Sequence, residues 1–593
     1  RWYEYGHISW AKFRTPLSIT FAFVATHNHF VLDRGGKVFK QSAPVIKLSE
    51  EASEDDHLAL LGVLNSSTAC FWCRQNMHNK GNSVDNKGAR QTAAPFEDFY
   101  EFAGTRLKPF PLPNDFPSLR ARQLDALATA LQHHSPEHLA EHAGPSGAEL
   151  TAEALHQHRK TSERLRGSMV FLQEELDWWC YAAYGLLPAE AVIAELLHVP
   201  AALRDAPQDD RQLTHLDGSW FDLPEIAQSE SAGTLAAVPL ALGQRAFEIA
   251  LARQVERGEA RTAWFERHRS KPITELPAAW PEGYRVVVER RLALIEEGGD
   301  RFVQLLERPE HKRRWASEPW KKRQKGALRS WLLERLEDRD LWPAPDPGSG
   351  ALPQLLTAAQ LTQRLVSGET LSGTEASGGP GSGAPASGTE RSVAFRRVAA
   401  LYAGREDLDL EKLVAELCSA EAVPAAAVLR YKPSGLAKHA QWQHTWELQR
   451  REDAGQEVGE IPVPPKYKSS DFNAGVWRHR GKLDVPKERF VSFPGSRRAL
   501  DDSPLLAWAG WDHHQLALSL IAEIQRQSQE GSPETSILPL LVALHEQLPW
   551  VAQWHDQRNP TTGLLLSESY RGFVEDEARK LGKTVAELEQ WSP

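Results

Sequence analysis

Between Ser372 and Thr389 the chain reads Ser-Gly-Thr-Glu-Ala-Ser-Gly-Gly-Pro-Gly-Ser-Gly-Ala-Pro-Ala-Ser-Gly-Thr. No aromatic or large aliphatic side chain stands in it, so it has nothing to bury. Fixing each residue costs about 1–2 kcal/mol of conformational entropy, and a Gly/Ser/Pro composition cannot offset that. The stretch therefore reads as the clearest part of a flexible linker, assigned to 346–392, and predicts a hinge between two independently folded parts.

At 593 residues the chain has length for three or four domains. Its 41% apolar and 25% charged residues suit an ordinary globular protein. No run of about 18 apolar residues stands out, so no membrane span is expected. Four Cys in so long a chain argue against a disulfide framework and predict a cytoplasmic location. The chain begins at Arg1 and holds two Met, which reads as a fragment or processed product. The expected class is α+β multidomain. A mixed α/β domain (1–115) is followed by a mainly helical region (116–345), the linker (346–392) and a mixed, mainly helical C-terminal domain (393–593).

In the first domain, 19–24, 30–32, 37–39 and 44–48 have strand character. Ser53 followed by Asp56 forms a capping box before a helix that carries Leu61, Leu64, Thr68 and Phe71 on one face. Residues 76–94 read as a polar loop. Further along, 168–184, 240–255, 286–305, 327–336, 409–419, 513–528 and 536–547 predict helices, around a Pro-rich extended stretch at 461–494.

Net charge is −10, the wrong sign for a protein that coats nucleic acid, but local charge decides contact. Residues 1–47 hold seven basic side chains against two acidic ones, a balance of +5. Residues 312–329 hold eight basic side chains against Glu318 alone, interleaved with Trp315 and Trp320. That mixture suits phosphate contact with aromatic support, and equally a solvated helix face with Trp in the core. The stretch Thr26–Ser42 reads as two short strands around a donor-rich turn, Asp33-Arg34-Gly35-Gly36-Lys37. Arg and Lys pair with phosphates or guanine, and Asn28 or Gln41 can address adenine with two hydrogen bonds. The candidate DNA-binding residues are Lys12, Arg14, Asn28, His29, Arg34, Lys37, Lys40, Gln41, Asn79, Lys80, Asn82, Lys312, Arg313, Arg314, Arg478, Arg480 and Lys482. Asn65, on the helix with Ser66 and Ser67, fits a scaffold better than a contact.

Cys70-x-x-Cys73 is a lone pair without a second half, which reads as core rather than zinc. The His pairs match no metal or hydrolase spacing, and no phosphate-cradling or dinucleotide glycine motif is present. Nor is there an Asn-Pro-Pro-aromatic tetrad. No catalytic, cofactor-binding or metal-binding residue is assigned.

The hairpin and the Leu60–Ser67 stretch resemble the target-recognition region of adenine-specific DNA methyltransferases. Five longer stretches sharpen the likeness: Gln173–Trp178 with Tyr184-Gly185-Leu186, Trp264–His268, Glu307–Trp315, Tyr467–Phe472 and Trp477–Phe490. Together they resemble the C-terminal half of the PglX family, the adenine-specific DNA methyltransferases of bacteriophage-exclusion (BREX, or phage growth limitation) systems. The resemblance implies N6-adenine methylation with S-adenosylmethionine, the cofactor sitting in an N-terminal domain missing here. It implies double-stranded DNA as partner, with other phage-defence proteins and a separate methyltransferase domain, and no membrane. On this reading the chain alone is inactive. Two alternatives stay open: the C-terminal part of a restriction-type endonuclease–methyltransferase, and a non-enzymatic scaffold of a defence complex.

Overall fold

The computed structural model describes residues 16–81, 94–187, 239–296, 301–342, 352–367, 388–558 and 563–593, with two short strands between 212 and 222. It is α+β, mainly helical with small sheets. Among the described residues two compact units form: one lies within 16–139 and 153–323, the other within 140–152 and 324–593.

The first unit opens with two three-stranded sheets. β1 (Ser18–Phe21), β2 (Val24–Ala25), β3 (Phe30–Asp33) and β4 (Val45–Ile46) come first. β1 lies between β3 and β4, antiparallel to both, with Phe21 opposite Phe30. The stretch 34–44 is therefore not the turn of a tight hairpin. It is a loop that leaves β3 and returns on the far side of β1, and 37–39 is not a strand. Gly35 and Gly36 take φ of 109° and 80°, open to glycine and strained for other residues. β5 (His78–Gly81) and β2 flank β6 (Phe99–Glu101). The start of the expected polar loop at 76–94 is thus a strand.

Helix α1 (Glu54–Leu64) starts at the Ser53–Asp56 capping box. The apolar spacing predicted one continuous helix through Phe71. Instead the chain breaks at Asn65, and Ser66 caps a second helix, α2 (Ser67–Asn76), by accepting from the Ala69 N–H. Both Asn65 and Ser66 favour caps over helix interiors.

α1 packs on α3 (Ser118–His133). Gly62 permits the approach, since a Cβ there would lie 2.9 Å from the Ala121 Cβ and 3.0 Å from Pro117. Next comes α4 (Ala152–Ala183), almost twice the length expected. Its buried face, with Leu165, Val170, Trp178 and Tyr181, forms one core with Ile249 of α5 (Ala246–Glu256) and with Tyr284, Val288 and Leu292 of α6 (Glu282–Glu296). Residues on both sides of the expected boundary at 115/116 fall in the first unit.

The second unit takes in the later part of α7 (Trp320–Leu336) and a four-stranded sheet. Its strands are β7 (Leu356–Thr357), β8 (Ala422–Pro424), β9 (Phe490–Ser492) and β10 (Leu505–Trp508), in the order β8-β9-β10-β7. Around it lie α8 (Ala358–Ser367), α9 (Gly388–Ala403), α10 (Leu410–Glu421), α11 (Pro433–Asp453), α12 (His513–Gln529), α13 (Glu534–Trp554) and α14 (Leu566–Lys580). Tyr431, Tyr467 and Phe472 share a buried cluster, which holds the expected extended stretch in place.

The linker expectation needs correction at its flanks, while 368–387 lie outside the described residues. Within 346–392, β7 pairs with β10 (Leu356 opposite Leu506), and α8 packs on α9 and α10. The chain on either side of the Gly/Ser stretch thus builds one core, because β7 fills the edge of a sheet made by later residues. Cutting at a protease site inserted between Gly378 and Gly379 is therefore expected to leave two pieces that co-elute on size exclusion. Their separation under native conditions would restore the hinge between independent domains.

Candidate nucleic-acid interface

The five stretches behind the family resemblance hold the most specific residues of the sequence, and three of them meet in the core of the first unit. Lys312 is fully buried. Its Nζ donates to Glu307 Oε1 at 2.6 Å and to the Tyr181 hydroxyl at 3.3 Å, and lies 3.2 Å from Asp177 Oδ2 and 3.7 Å from Glu174. Three carboxylates around one ammonium raise the Lys312 pKa above its usual range despite burial. Burial, with Glu174 adding to it, pushes Glu307 up in spite of Lys312.

The acids also tie elements together. Asp177 accepts from the Ser67 N–H (2.8 Å) and hydroxyl (2.5 Å) at the start of α2. Glu174 accepts from the Trp178 indole and the Ala246 N–H. Beside them Glu175 holds Arg291 through two bonds of 2.7 and 2.9 Å. Glu248 holds Arg245 and accepts from the Trp264 indole at 2.9 Å.

Lys312 therefore lies out of reach of any phosphate. Asn28 is also buried, and its amide donates to the carbonyls of Leu64 and Ser66 at 2.7 and 3.1 Å. It fastens the α1–α2 break to the sheet, so it cannot read a base without leaving those partners. Asn65 does matching work: its amide exchanges two 3.0 Å bonds with the Phe30 backbone, in the manner of a neighbouring strand.

Other candidates are engaged. Arg34 bridges Glu54 and Asp125, each at 2.6 Å. Lys80 pairs with Glu101. Asn79 donates to Tyr100 and Asp98 and accepts from Gly81 N–H. In the second unit Arg480 is held by Glu488 at 2.6 Å, and Arg478 donates to the Ala420 carbonyl.

Lys37, Lys40, Gln41 and Lys482 are exposed, with no side-chain partner among the described residues. The first three share the loop after β3. Lys12, Arg14 and Asn82 lie outside the described residues.

His29, Arg313 and Arg314 come together, with His27 and His268 as neighbours. The His27 and His29 rings stand 4.3 Å apart. The Arg314 N–H meets His27 Nε2 at 3.4 Å, and its Nε donates to His268 Nε2 at 3.0 Å. His268 Nδ1 bonds the Trp264 carbonyl, which leaves Nε2 as acceptor and the ring neutral. Burial, then Arg313 and Arg314, hold His29 down at about 4. The sequence marked Arg313 and Arg314 as cations but gave no sign that they face histidines 285 residues away.

Cys70 and Cys73 are buried in α2, and burial pushes the Cys70 thiol up to about 12. No group of three or more metal-binding side chains occurs among the described residues. No described helix is long and apolar enough to cross a membrane.

Residues 214–376 and 385–593 match the family described as a domain of unknown function (DUF7008), and the chain belongs to it. The chain is also 41% identical over 601 residues to the adenine-specific methyltransferase PglX of Streptomyces coelicolor (strain ATCC BAA-471 / A3(2) / M145). That alignment covers the whole of this chain and 43% of the relative, in its C-terminal part. The chain thus spans less than half the length of that relative. No solved structure matches it.

Removing one partner of a buried ion pair leaves the others uncompensated and costs about 3–5 kcal/mol. Lys312→Ala is therefore expected to lower unfolding free energy by roughly that amount. A loss below about 1 kcal/mol in urea titration, the scale of an exposed pair, would show that the network contributes little.

Acid sensitivity follows from the depressed histidines. His29, His268 and His311 sit at about 4, mainly through burial. Unfolded, each returns to near 6.5, so the unfolded state binds more protons and stability falls as pH drops from 6.5 towards 4. Glu307, pushed upward, acts in the opposite sense. His311→Asn keeps a donor for the Leu305 carbonyl and removes one titration. It is expected to reduce the loss between pH 6.5 and 5 by on the order of 1 kcal/mol. An unchanged pH profile would count against this origin.

Proposed function

We propose that this chain is the DNA-recognition and C-terminal portion of an S-adenosylmethionine-dependent N6-adenine DNA methyltransferase of a phage-defence (BREX) system. The cofactor and the catalytic groups would be supplied by sequence outside these 593 residues. The observation that carries this reading is the 41% identity, sustained over the whole chain, to an adenine-specific methyltransferase more than twice as long. Other proteins of the defence system and the methyltransferase domain itself would be the protein partners.

The chemistry explains what such a portion must do. Methylating an adenine amino group requires the base to leave the stack, at a cost of a few kcal/mol. The duplex has to be held while that happens. Lys37 and Lys40 project from the loop after β3, where they can neutralise phosphates, and Gln41 can donate to and accept from an adenine edge. Lys482 offers a further contact from the second unit. Arg34, Arg478 and Arg480 reinforce the fold instead, through the pairs described above.

The test is duplex binding by the full chain, followed by fluorescence anisotropy over a salt series. The Lys37→Ala, Lys40→Ala double variant is expected to weaken all sequences alike and to flatten the salt slope by about two. Gln41→Ala is expected to cost roughly 1–3 kcal/mol on the methylation site only. Incubated alone with labelled S-adenosylmethionine and DNA, the chain is expected to transfer no label. Adenine labelling by the chain alone, or wild-type affinity in these variants, would overturn the respective part of the reading.

A further inference from the structure

The cluster of Arg313, Arg314 and His29 differs from most of the cations described above. Arg34, Lys80, Arg245, Arg291, Lys312 and Arg480 each have a carboxylate within 4 Å. Arg313 and Arg314 have none among the described residues. The carboxylates that act on them from farther away are already engaged. Asp177 serves Ser67, Gln173 and Lys312. Glu97 pairs with Arg267 at 3.2 Å.

The donors here also lack acceptors. The Arg313 guanidinium has no hydrogen-bond acceptor among the described residues and lies 4.9 Å over the Trp315 ring. The Trp315 indole N–H is buried without an acceptor. Arg314 gives Nε to His268, and no acceptor for its terminal nitrogens occurs among the described residues. Each of these side chains except Trp315 is partly open to solvent.

Such an arrangement is costly when empty. Burial brings the Arg313 guanidinium down to about 10, and burial with two neighbouring cations brings His29 to about 4. A half-buried site with positive charge and unmet donors is the complement of an oxyanion. The guanidinium fork suits two oxygens of a tetrahedral phosphate better than it suits any neutral group.

The backbone fixes the site. Lys312 is locked into the core, so the two following residues emerge at a set position, and the Arg313 carbonyl accepts from buried Arg245 at 2.8 Å. The Arg314 N–H docks this strand of chain on His27.

We propose that Arg313, Arg314 and His29, with the Trp315 indole, form a preformed site for one phosphate group of a DNA backbone. The identity of the ligand as DNA rests on the proposed function, whereas the existence of an oxyanion site does not. The site differs from the loop after β3 in kind. Lys37 and Lys40 are long side chains on a glycine-bearing loop and can follow a phosphate wherever it lies. Arg313 and Arg314 cannot, so they would set the position of the duplex on the protein, which is what phosphate contacts supply.

The experiment uses the full chain and two probes, sodium tripolyphosphate and a duplex DNA. Tripolyphosphate is expected to raise the wild-type thermal midpoint and to leave that of Arg313→Gln and Arg314→Gln unmoved. Duplex affinity is expected to fall about tenfold or more in each variant, alike on all sequences, as loss of a charge-assisted contact predicts. Arg579→Gln, which removes an exposed cation elsewhere, is expected to keep both responses.

Without ligand, Arg313→Gln is expected to melt at or above the wild-type temperature, because an unpaired cation is lost. A structural role for Arg313 would lower it, and that result would overturn the proposal. So would a full tripolyphosphate response in both variants. Arg313→Lys keeps the charge without the fork; it is expected to bind tripolyphosphate more weakly than wild type, and equal binding would overturn the site. A tripolyphosphate response that depends on Arg313, with no duplex binding by wild type, would sustain the oxyanion site and overturn DNA as its ligand.

Discussion

Everything in the first unit is organised around the burial of Lys312. An ammonium group placed against the rings of Tyr181 and Phe247 would lose several kcal/mol of hydration unless the surroundings restored it. Glu174, Asp177 and Glu307 do so, and the first two also accept from backbone N–H groups. Asp177 turns to Ser67, and that contact fixes the start of α2 against α4. Glu174 turns to the Ala246 N–H, and fixes the start of α5. One buried charge thus sets the relation of three helices, which non-directional apolar packing would leave less determined. Hydrophobic contact supplies the larger energy, while the charge network specifies which of many packings is adopted.

The same network explains why basic residues next to one another in sequence have different fates. Lys312, Arg313 and Arg314 are consecutive, and composition treats them alike. Lys312 is committed to the core, whereas Arg313 and Arg314 are both half-buried. A run of cations is therefore not a single basic patch. In the second unit the division is similar. Arg480 and Arg478 are consumed by Glu488 and the Ala420 carbonyl, and Lys482, two residues on, stays in solvent.

The sequence was most legible where short-range physics decides. The Ser53–Asp56 capping box was read to the residue, since two side chains and two N–H groups three positions apart determine it. The helices expected at 409–419 and 513–528 are present as Leu410–Glu421 and His513–Gln529. What failed depended on distant partners. The break at Asn65 was invisible because Leu61, Leu64, Thr68 and Phe71 keep helical spacing across it. The interruption is stabilised by Asn28, some 36 residues earlier. Gly35-Gly36 is a good turn and by itself favours a hairpin; that β3 and β4 both pair with β1 is a long-range fact. Asn28 and Lys312 were chosen as contacts for their chemistry, and the same hydrogen-bonding capacity made them useful inside. Composition located the Gly/Ser stretch but could not show that β7, just before it, completes a sheet formed by residues after it.

The stretches that carried the family resemblance are largely scaffold. Glu174, Glu175 and Asp177, Trp264, Glu307 and Lys312 are core groups of the first unit. Tyr467 and Phe472 are core groups of the second, and Asp471 there accepts from Lys438, Ser434 and the Lys468 N–H. Buried polar groups tolerate few substitutes, because each has several partners whose geometry must be met together. Contacts to a duplex obey weaker local rules: Lys37 or Gln41 could be exchanged without disturbing any neighbour. A likeness built on such stretches therefore identifies an architecture with high specificity and says little about the sequence read. The recognition of a particular DNA site would have to reside in the loops, where side chains are unconstrained by the core, while Arg313 and Arg314 stand at the border between the two regimes. They are placed by the scaffold yet have no carboxylate partner among the described residues, which makes them suited to a contact common to every site.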